Sequence, residues 1–292
     1  MRNIDPRNPR ERDLSPLSHS VLQLACRYFR IRLATIDAFP SDTQVVSWIK
    51  ASFRQACTDK NAPRRGERFH HEAEYYKYIF QLIKRKMSQL RNKVKVAALS
   101  SMLQAYGITL VMSKQEIKAR IAFLKLRYGF TFENPDNRTG LFRHPIFATI
   151  AMELWFKSST SDAIKCSQSF NPFPIPTLAL IATAVKFALD SWSEGQFEDF
   201  DFEADKNVTK YRATMTHLME WKEKNAPLLA DVQYTLWRKL WAASGHAPLT
   251  EEDDERQLDD ADFGIVPQDQ PLNDTTTVTH TESAEAEFGP VE

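Results

Sequence analysis

The stretch FPIPTLALIATAVKFAL, residues 173–189, decides the fold of this chain. Apart from Lys186, its residues are apolar on nearly every side of a helical projection, which is typical of a helix buried in a core. Pro174 and Pro176 stand at its start, where proline suits the first turn of a helix. A helix that crosses a membrane needs about 20 apolar residues, so we predict a central buried helix of a soluble protein from Leu178 to Trp192.

The rest of the chain favours helices as well. Its 292 residues include only eight glycines, against about twenty at average usage, and this scarcity argues against a sandwich of many strands. We predict an all-α fold, a compact bundle of about seven helices. Apolar periodicity places helices at about residues 15–36, 42–60, 70–106, 113–127, 145–156, 178–192, 203–223 and 227–243.

Local signals mark where several of these helices begin and end. Ser15 before a proline suits a helix start, Ser113 with Glu116 forms a capping-box pattern, and Gly107 is typical of a position just past a helix end. The segment 61–66, which contains proline and glycine, predicts a break between the second and third helices.

Residues 128–143, YGFTFENPDNRTGLFR, depart from the helical pattern. Aromatic residues alternate with other residues around the turn-forming centre Asn134-Pro135-Asp136-Asn137. This arrangement predicts a short β-hairpin or an ordered loop.

The charges of the chain are distributed unevenly. The 38 basic and 38 acidic residues balance, but residues 250–292 contain fourteen acidic residues and one Arg. That segment therefore carries a net charge of −13 and the remainder carries +13. We predict a single helical domain at 15–248 between a disordered N-terminal segment at 1–14 and a disordered acidic tail at 249–292.

The N-terminus and the cysteines predict the cellular setting. No apolar stretch of signal-peptide length stands at the N-terminus. Cys26, Cys57 and Cys166 are odd in number and widely spaced, so they form neither a disulfide framework nor a metal-binding pattern. We predict an intracellular protein of the nucleus or cytoplasm that is not secreted and has no membrane partner.

Motifs of common enzyme and cofactor sites are missing from the sequence. It contains no Gly-rich phosphate loop and no G-x-S-x-G nucleophile turn. His70-His71-Glu72 resembles half of a zinc-protease helix, but the His required four residues later is replaced by Glu74 or Tyr75. We predict no metal site and no cofactor, and we interpret these residues as a polar helix start.

His144 and Glu153 are the remaining candidates for acid–base chemistry. They are nine residues apart on a predicted helix, about 13 Å of rise, and cannot meet directly. A buried structural His at a helix start is the simpler interpretation. We favour a protein that is not an enzyme, and the alternative is an enzyme of unrecognised type with a site near His144.

The strongest functional signal is a basic run. Between Tyr75 and Gln115 there are eight Lys or Arg residues and no acidic residue. On a helical wheel, four of them fall within about 40° of each other, whereas Arg85 points away from the apolar face. Such a helix can lie along phosphates, although a solvated helix face is the plainer alternative. The predicted nucleic-acid-binding residues are Lys77, Lys84, Arg85, Arg91 and Lys95.

Two further segments suit a protein partner. Residues 170–176, FNPFPIP, are either a polyproline ligand or a stiff start to the next helix. Residues 259–266, DDADFGIV, mix acidic and apolar side chains as docking segments do, and the acidic tail can also compete with a polyanion for the basic helix. We predict a non-enzymatic module that binds nucleic acid or an unidentified protein. A purely structural or oligomerising domain is the alternative, with the oligomeric state left open.

Several stretches resemble a helical domain of unknown function that is much expanded in mushroom-forming fungi. They are Thr139-Gly-Leu-Phe-Arg-His-Pro-Ile-Phe-Ala-Thr-Ile150, Ile175-Pro-Thr-Leu-Ala-Leu-Ile-Ala-Thr-Ala-Val185, and the helix with Tyr211 and His217. The resemblance covers about residues 15 to 245. It implies a compact all-helical body in an intracellular, fungal protein with a nuclear setting, and it implies no catalytic residues.

Overall fold

A computed structural model describes residues 10–199 and 204–245 of the chain. Over these residues the protein has ten α-helices and no β-strand, so the predicted all-α fold is confirmed. The helices are α1 (Pro16–Thr35), α2 (Asp42–Asp59), α3 (Pro63–His71), α4 (Ala73–Ala105), α5 (Lys114–Lys125), α6 (Pro145–Ala151), α7 (Asp162–Lys165), α8 (Ile175–Asp190), α9 (Ala204–Lys224) and α10 (Ala226–Ala243).

Helix α8 is the central buried helix, as predicted. Twelve of its sixteen residues are buried, and it packs against α1, α4, α5, α6 and α9. Its two buried hydroxyls are satisfied, because Thr177 donates to the carbonyl of Ala34 at 2.6 Å and Thr183 donates to that of Ala179 at 2.7 Å. Each buried large apolar side chain contributes about 1.5–3 kcal/mol.

The long helix predicted for residues 70–106 is confirmed as α4, which begins three residues later, at Ala73, and ends at Ala105. His70 and His71, interpreted from the sequence as a helix start, instead end α3, a separate helix that the sequence did not predict. Glu72, in an extended conformation with φ −96° and ψ 102°, separates α3 from α4. The break predicted after the second helix is confirmed, because α2 ends at Asp59. It is shorter than residues 61–66, since Pro63 already occupies the first turn of α3, where its missing N–H costs nothing. The turn between α2 and α3 is therefore short, and α3 returns across α2 toward the start of α4.

Residues 126–144 form an ordered loop, the second of the two structures predicted there. A 3₁₀ turn at Leu126–Thr131 is followed by a single antiparallel bridge between Asn134 and Thr139. Gly140 adopts φ +72°, and a Cβ at this position would stand 2.6 Å from Cβ of Glu133. The pairing therefore stays one bridge long and does not extend into a hairpin.

The turn between α1 and α2 is fixed by side chains from distant helices. The Ala38 N–H donates to the Tyr211 hydroxyl at 3.2 Å, and Arg91 donates to the Ala38 carbonyl at 2.9 Å. Arg212 donates to the Asp37 carboxylate at 2.8 Å and to the Phe39 carbonyl at 2.7 Å. Helices α4 and α9 are thereby tied to one short segment of backbone.

The ordered part begins earlier than the boundary predicted at residue 15. Glu11–Asp13 form a 3₁₀ turn, Glu11 lies 2.8 Å from Lys86, and the Tyr78 hydroxyl donates to the carbonyl of Arg10 at 2.6 Å. The disorder predicted for residues 1–9 and for the acidic tail at 249–292 lies outside the described residues. None of the helices in the described ranges is long and apolar enough to cross a membrane.

Replacing Tyr211 with Phe tests the hydrogen bond at the α1–α2 turn. The change leaves the buried Ala38 N–H without its acceptor, so we expect the free energy of unfolding to fall by about 1–3 kcal/mol. Urea denaturation followed by circular dichroism measures it. The control is Tyr234→Phe, because Tyr234 is 46% exposed; equal stability of the two variants would contradict the role of Tyr211.

Candidate functional site

The first half of the predicted basic face is exposed along α4. Lys77 is exposed and forms an ion pair with Glu74 at 3.0 Å. Lys84 is half-buried, and its ammonium lies 6.0 Å from the centre of the Phe80 ring. Arg85 is exposed on the opposite side of the helix from Tyr76, since nine residues turn a helix by about 180°.

The second half of the predicted face is occupied inside the fold. Arg91 is half-buried, and its guanidinium lies 4.1 Å from the centre of the Phe39 ring. Burial lowers the pKa of Arg91 to about 10. The Lys95 side chain is 15% exposed, 3.9 Å from Asp199 and 5.1 Å from the Phe187 ring. The five predicted residues therefore do not form one surface, and Lys77 and Arg91 are about 21 Å apart along the helix.

A cleft opens beside the exposed half of that face, where α2, α3 and the start of α4 meet. Its volume is about 550 Å³, which lies within the range of about 300–1,000 Å³ typical of small-ligand sites. The residues that line it are Lys50, Phe53, Arg54, Gly66, Phe69, His70, His71, Ala73 and Tyr76.

Each wall of the cleft follows from the local sequence. Lys50 and Arg54 are four residues apart on α2, so they share one face of the helix. His70 and His71 end α3, and their rings stand 4.7 Å apart. The extended backbone at Glu72 then changes the direction of the chain. The first turn of α4 consequently faces α2 and α3.

Three aromatic rings, those of Phe53, Phe69 and Tyr76, line the cleft, and Phe80 continues the row outside it. The Phe53 and Phe69 ring centres are 4.4 Å apart, those of Phe69 and Tyr76 are 4.9 Å apart, and those of Tyr76 and Phe80 are 5.5 Å apart. Phe53 and Phe69 are buried, whereas Tyr76 is partly exposed. The ammonium of Lys50 lies 5.7 Å from the centre of the Tyr76 ring.

The cleft is electrostatically positive. None of its lining residues in the described part of the chain is acidic. Three acids stand nearby on α3 and at the start of α4. Glu67 is exposed on α3, Arg68 donates two hydrogen bonds of 2.7 Å to Glu72 and thereby lowers the pKa of that carboxyl, and Glu74 pairs with Lys77. This arrangement can bind an anion and stack a planar group.

Within residues 10–199 and 204–245, the two cations on α2 are not neutralised. Neither Lys50 nor Arg54 forms an ion pair there, whereas two cations of α5 do: Lys118 pairs with Glu194 at 2.7 Å and Arg120 with Asp136 at 2.5 Å. An unpaired cation at a cleft keeps its full attraction for an incoming anion.

His144 is a structural residue in this fold, as in the simpler interpretation of the sequence. It is buried, and its Nδ1 accepts a hydrogen bond from the Ile146 N–H at 3.3 Å at the start of α6. Its ring stacks on Tyr106, with centres 4.4 Å apart and planes 28° apart. Burial, with the nearby charge of Arg120, lowers the pKa of His144 to about 4.

The structure does not bring His144 and Glu153 together. A cavity of about 120 Å³ borders His144, and its lining includes Glu133, Arg143 and Lys239 but not Glu153. Glu153 is exposed on the π-helical turn Met152–Phe156 that follows α6. This cavity is smaller than typical substrate sites, and the acid–base pair considered from the sequence is not formed there, because Glu153 does not line it.

Metal-binding residues do not converge in the described part of the chain. No three side chains from His, Cys, Asp and Glu lie there in an arrangement that could hold one metal ion. His70 and His71 instead face the cationic cleft.

Comparison with known families identifies the family of this helical body. A sequence model of a domain of unknown function, DUF6532, matches residues 24–221, more than half of the chain. The chain belongs to the DUF6532 family. The match begins within α1 and ends within α9, so every residue of the cleft lies inside the DUF6532 domain. Membership of a family of unknown function is thus confirmed, over a shorter range than residues 15–245. No curated protein and no solved structure matches the chain.

Sequence reasoning missed the cationic residues of α2. Lys50 and Arg54, spaced four residues apart around Phe53, were a visible signal of a basic helix edge. Their meeting with His70, His71 and Tyr76 depends on the turn at Glu72, where no glycine or proline marks a helix end. For that reason the cleft could not be predicted from the pattern.

The lowered pKa of His144 predicts a pH dependence of stability. An unfolded His has a pKa of about 6.5 and a folded pKa of about 4, so the unfolded state binds the proton first as pH falls. The contribution of neutral His144 to the free energy of unfolding is fully present above about pH 6.5 and is lost as the pH falls from about 6.5 to 4. We expect the wild type to lose about 1–2 kcal/mol more between pH 7 and 5 than His144→Asn, which keeps a capping side chain. Urea titrations at both pH values measure it, and equal losses would contradict it.

Proposed function

We propose that this DUF6532 protein is a non-enzymatic module that binds nucleic acid through the cleft and the adjoining face of α4. The lining of the cleft supports the proposal. Two cations and two histidines surround aromatic rings there, and none of the described lining residues is acidic. Neither cation has a carboxylate partner in the described part of the chain. Many other cations of the described body form ion pairs with carboxylates. Phosphate groups are the ligands that such a site favours.

The shape of the cationic surface favours a chain of phosphates over a single anion. Ala73 of the cleft shares a face of α4 with Lys77 and Lys84, because these positions fall within about 40° on a helical wheel. From Ala73 to Lys84 the helix rises about 16 Å. A polyanion that enters the cleft can continue along this face, and each neutralised phosphate releases counterions.

The cellular setting we propose is the interior of a fungal cell, with the nucleus as the compartment. The resemblance to a family expanded in mushroom-forming fungi supports the origin. Cys26 and Cys57 are buried thiols and Cys166 is partly buried, which suits a reducing compartment. A basic body and a nucleic-acid ligand suit the nucleus.

Removing the two cations of α2 tests the proposed function. We expect Lys50→Gln/Arg54→Gln to weaken binding of a labelled 12-nucleotide strand and to lower the slope of log affinity against log salt by about 1–2. Fluorescence anisotropy at several salt concentrations measures both. The matched control is Arg238→Gln/Lys239→Gln, two exposed cations on α10.

Two results would overturn the proposal. One is the absence of oligonucleotide binding by the wild type at low salt. The other is an affinity and salt slope of Lys50→Gln/Arg54→Gln equal to those of the wild type, with all proteins folded by circular dichroism.

A further inference from the structure

We infer that the cleft receives an unpaired nucleobase on the ring of Tyr76, so that the protein prefers single-stranded to duplex nucleic acid. This inference rests on the proposed function and names the class of nucleic acid that the site selects. The observation behind the inference is that the partly exposed Tyr76 ring lies among cations.

Tyr76 is the ring in the cleft that can offer a face. Phe53 is fully buried and Phe69 is 8% exposed, whereas Tyr76 is partly exposed. Phe69 and Phe80 pack against the Tyr76 ring, with planes tilted by 52° and 33°. The ring is therefore fixed before binding, and a base that stacks on it orders little additional structure.

The position of Lys50 marks the accessible face. Its ammonium stands over the Tyr76 ring at 5.7 Å, close to the limit of about 6 Å for a cation–π contact. Lys50 is exposed and, among the described residues, has no carboxylate partner. A base can displace it from the ring, and the ammonium then reaches the phosphate of the same nucleotide.

A second pair of ring and cation follows one helical turn further along α4. The ammonium of Lys84 lies 6.0 Å from the Phe80 ring, and Phe80 is partly exposed. The two rings are four residues apart, about 6 Å of helical rise. Successive rings flanked by cations are the arrangement by which proteins hold single strands without reading their sequence.

A duplex cannot use this arrangement. Its bases are stacked inside the helix, and only phosphates and groove edges face a protein. It would contact Lys50, Lys77 and Lys84 and leave the Tyr76 ring without a partner. Single strands therefore gain a stacking contribution that duplexes lack.

Anisotropy titrations with a 12-nucleotide oligothymidine and a 12-base-pair duplex at one salt concentration test the inference with the full chain. We expect the single strand to bind at least about tenfold more tightly. We expect Tyr76→Leu to weaken single-strand binding about 5- to 100-fold without altering the salt slope or duplex binding. Tyr76→Phe keeps the ring and should retain the wild-type affinity. Tyr234→Leu is the control, since Tyr234 is exposed on α10.

The outcomes separate this inference from the proposed function. Equal wild-type affinity for strand and duplex, or a Tyr76→Phe variant that binds no better than Tyr76→Leu, overturns base stacking. If binding still depends on Lys50 and Arg54 in that case, the proposed function stands. If no oligonucleotide binds, both fail. Should Tyr76→Leu not fold, the comparison of strand with duplex still decides.

Discussion

Burial of α8 on nearly every side is the constraint on which the rest of the structure depends. A helix that is apolar all round must be covered by other helices, and α1, α4 and α9 pack against it. Helix α4 has 33 residues and α8 has 16, so α8 cannot cover all of its partner. The N-terminal part of α4 packs instead against α2 and α3. The cleft forms there, at the periphery of the core.

The same packing divides the basic residues of α4 into two groups. Near α8, Arg91 holds the Ala38 carbonyl and Lys95 lies against Phe187, where they stabilise the body. Nearer the start of the helix, Lys77 is exposed and Lys84 is half-buried. One helix therefore contributes both to the core of the body and to the wall of the proposed binding surface.

The sequence predicted what depends on local pattern. The apolar run at 173–189, the capping box Ser113/Glu116 and the helix end before Gly107 each reflect contacts within a few residues, and the structure confirms them. The division at Glu72 depends on Phe69 packing against Phe53 and Tyr76. Such distant contacts leave no periodic signal. The predicted binding role of Lys77 and Lys84 stays a prediction, and the α2 wall of the cleft was not predicted.

Cross-linking of a 5-iodouridine oligonucleotide to the full-length protein tests the central claim most directly. Trypsin cleaves after Arg68 and Lys77, so residues 69–77 form one peptide that carries Phe69, His70, His71 and Tyr76 of the cleft. Peptide mass spectrometry after ultraviolet irradiation locates the attached nucleotide. If the nucleotide contacts the cleft, we expect cross-links concentrated at Tyr76 in this peptide. Cross-links confined to peptides from α5, α9 or α10 would contradict it.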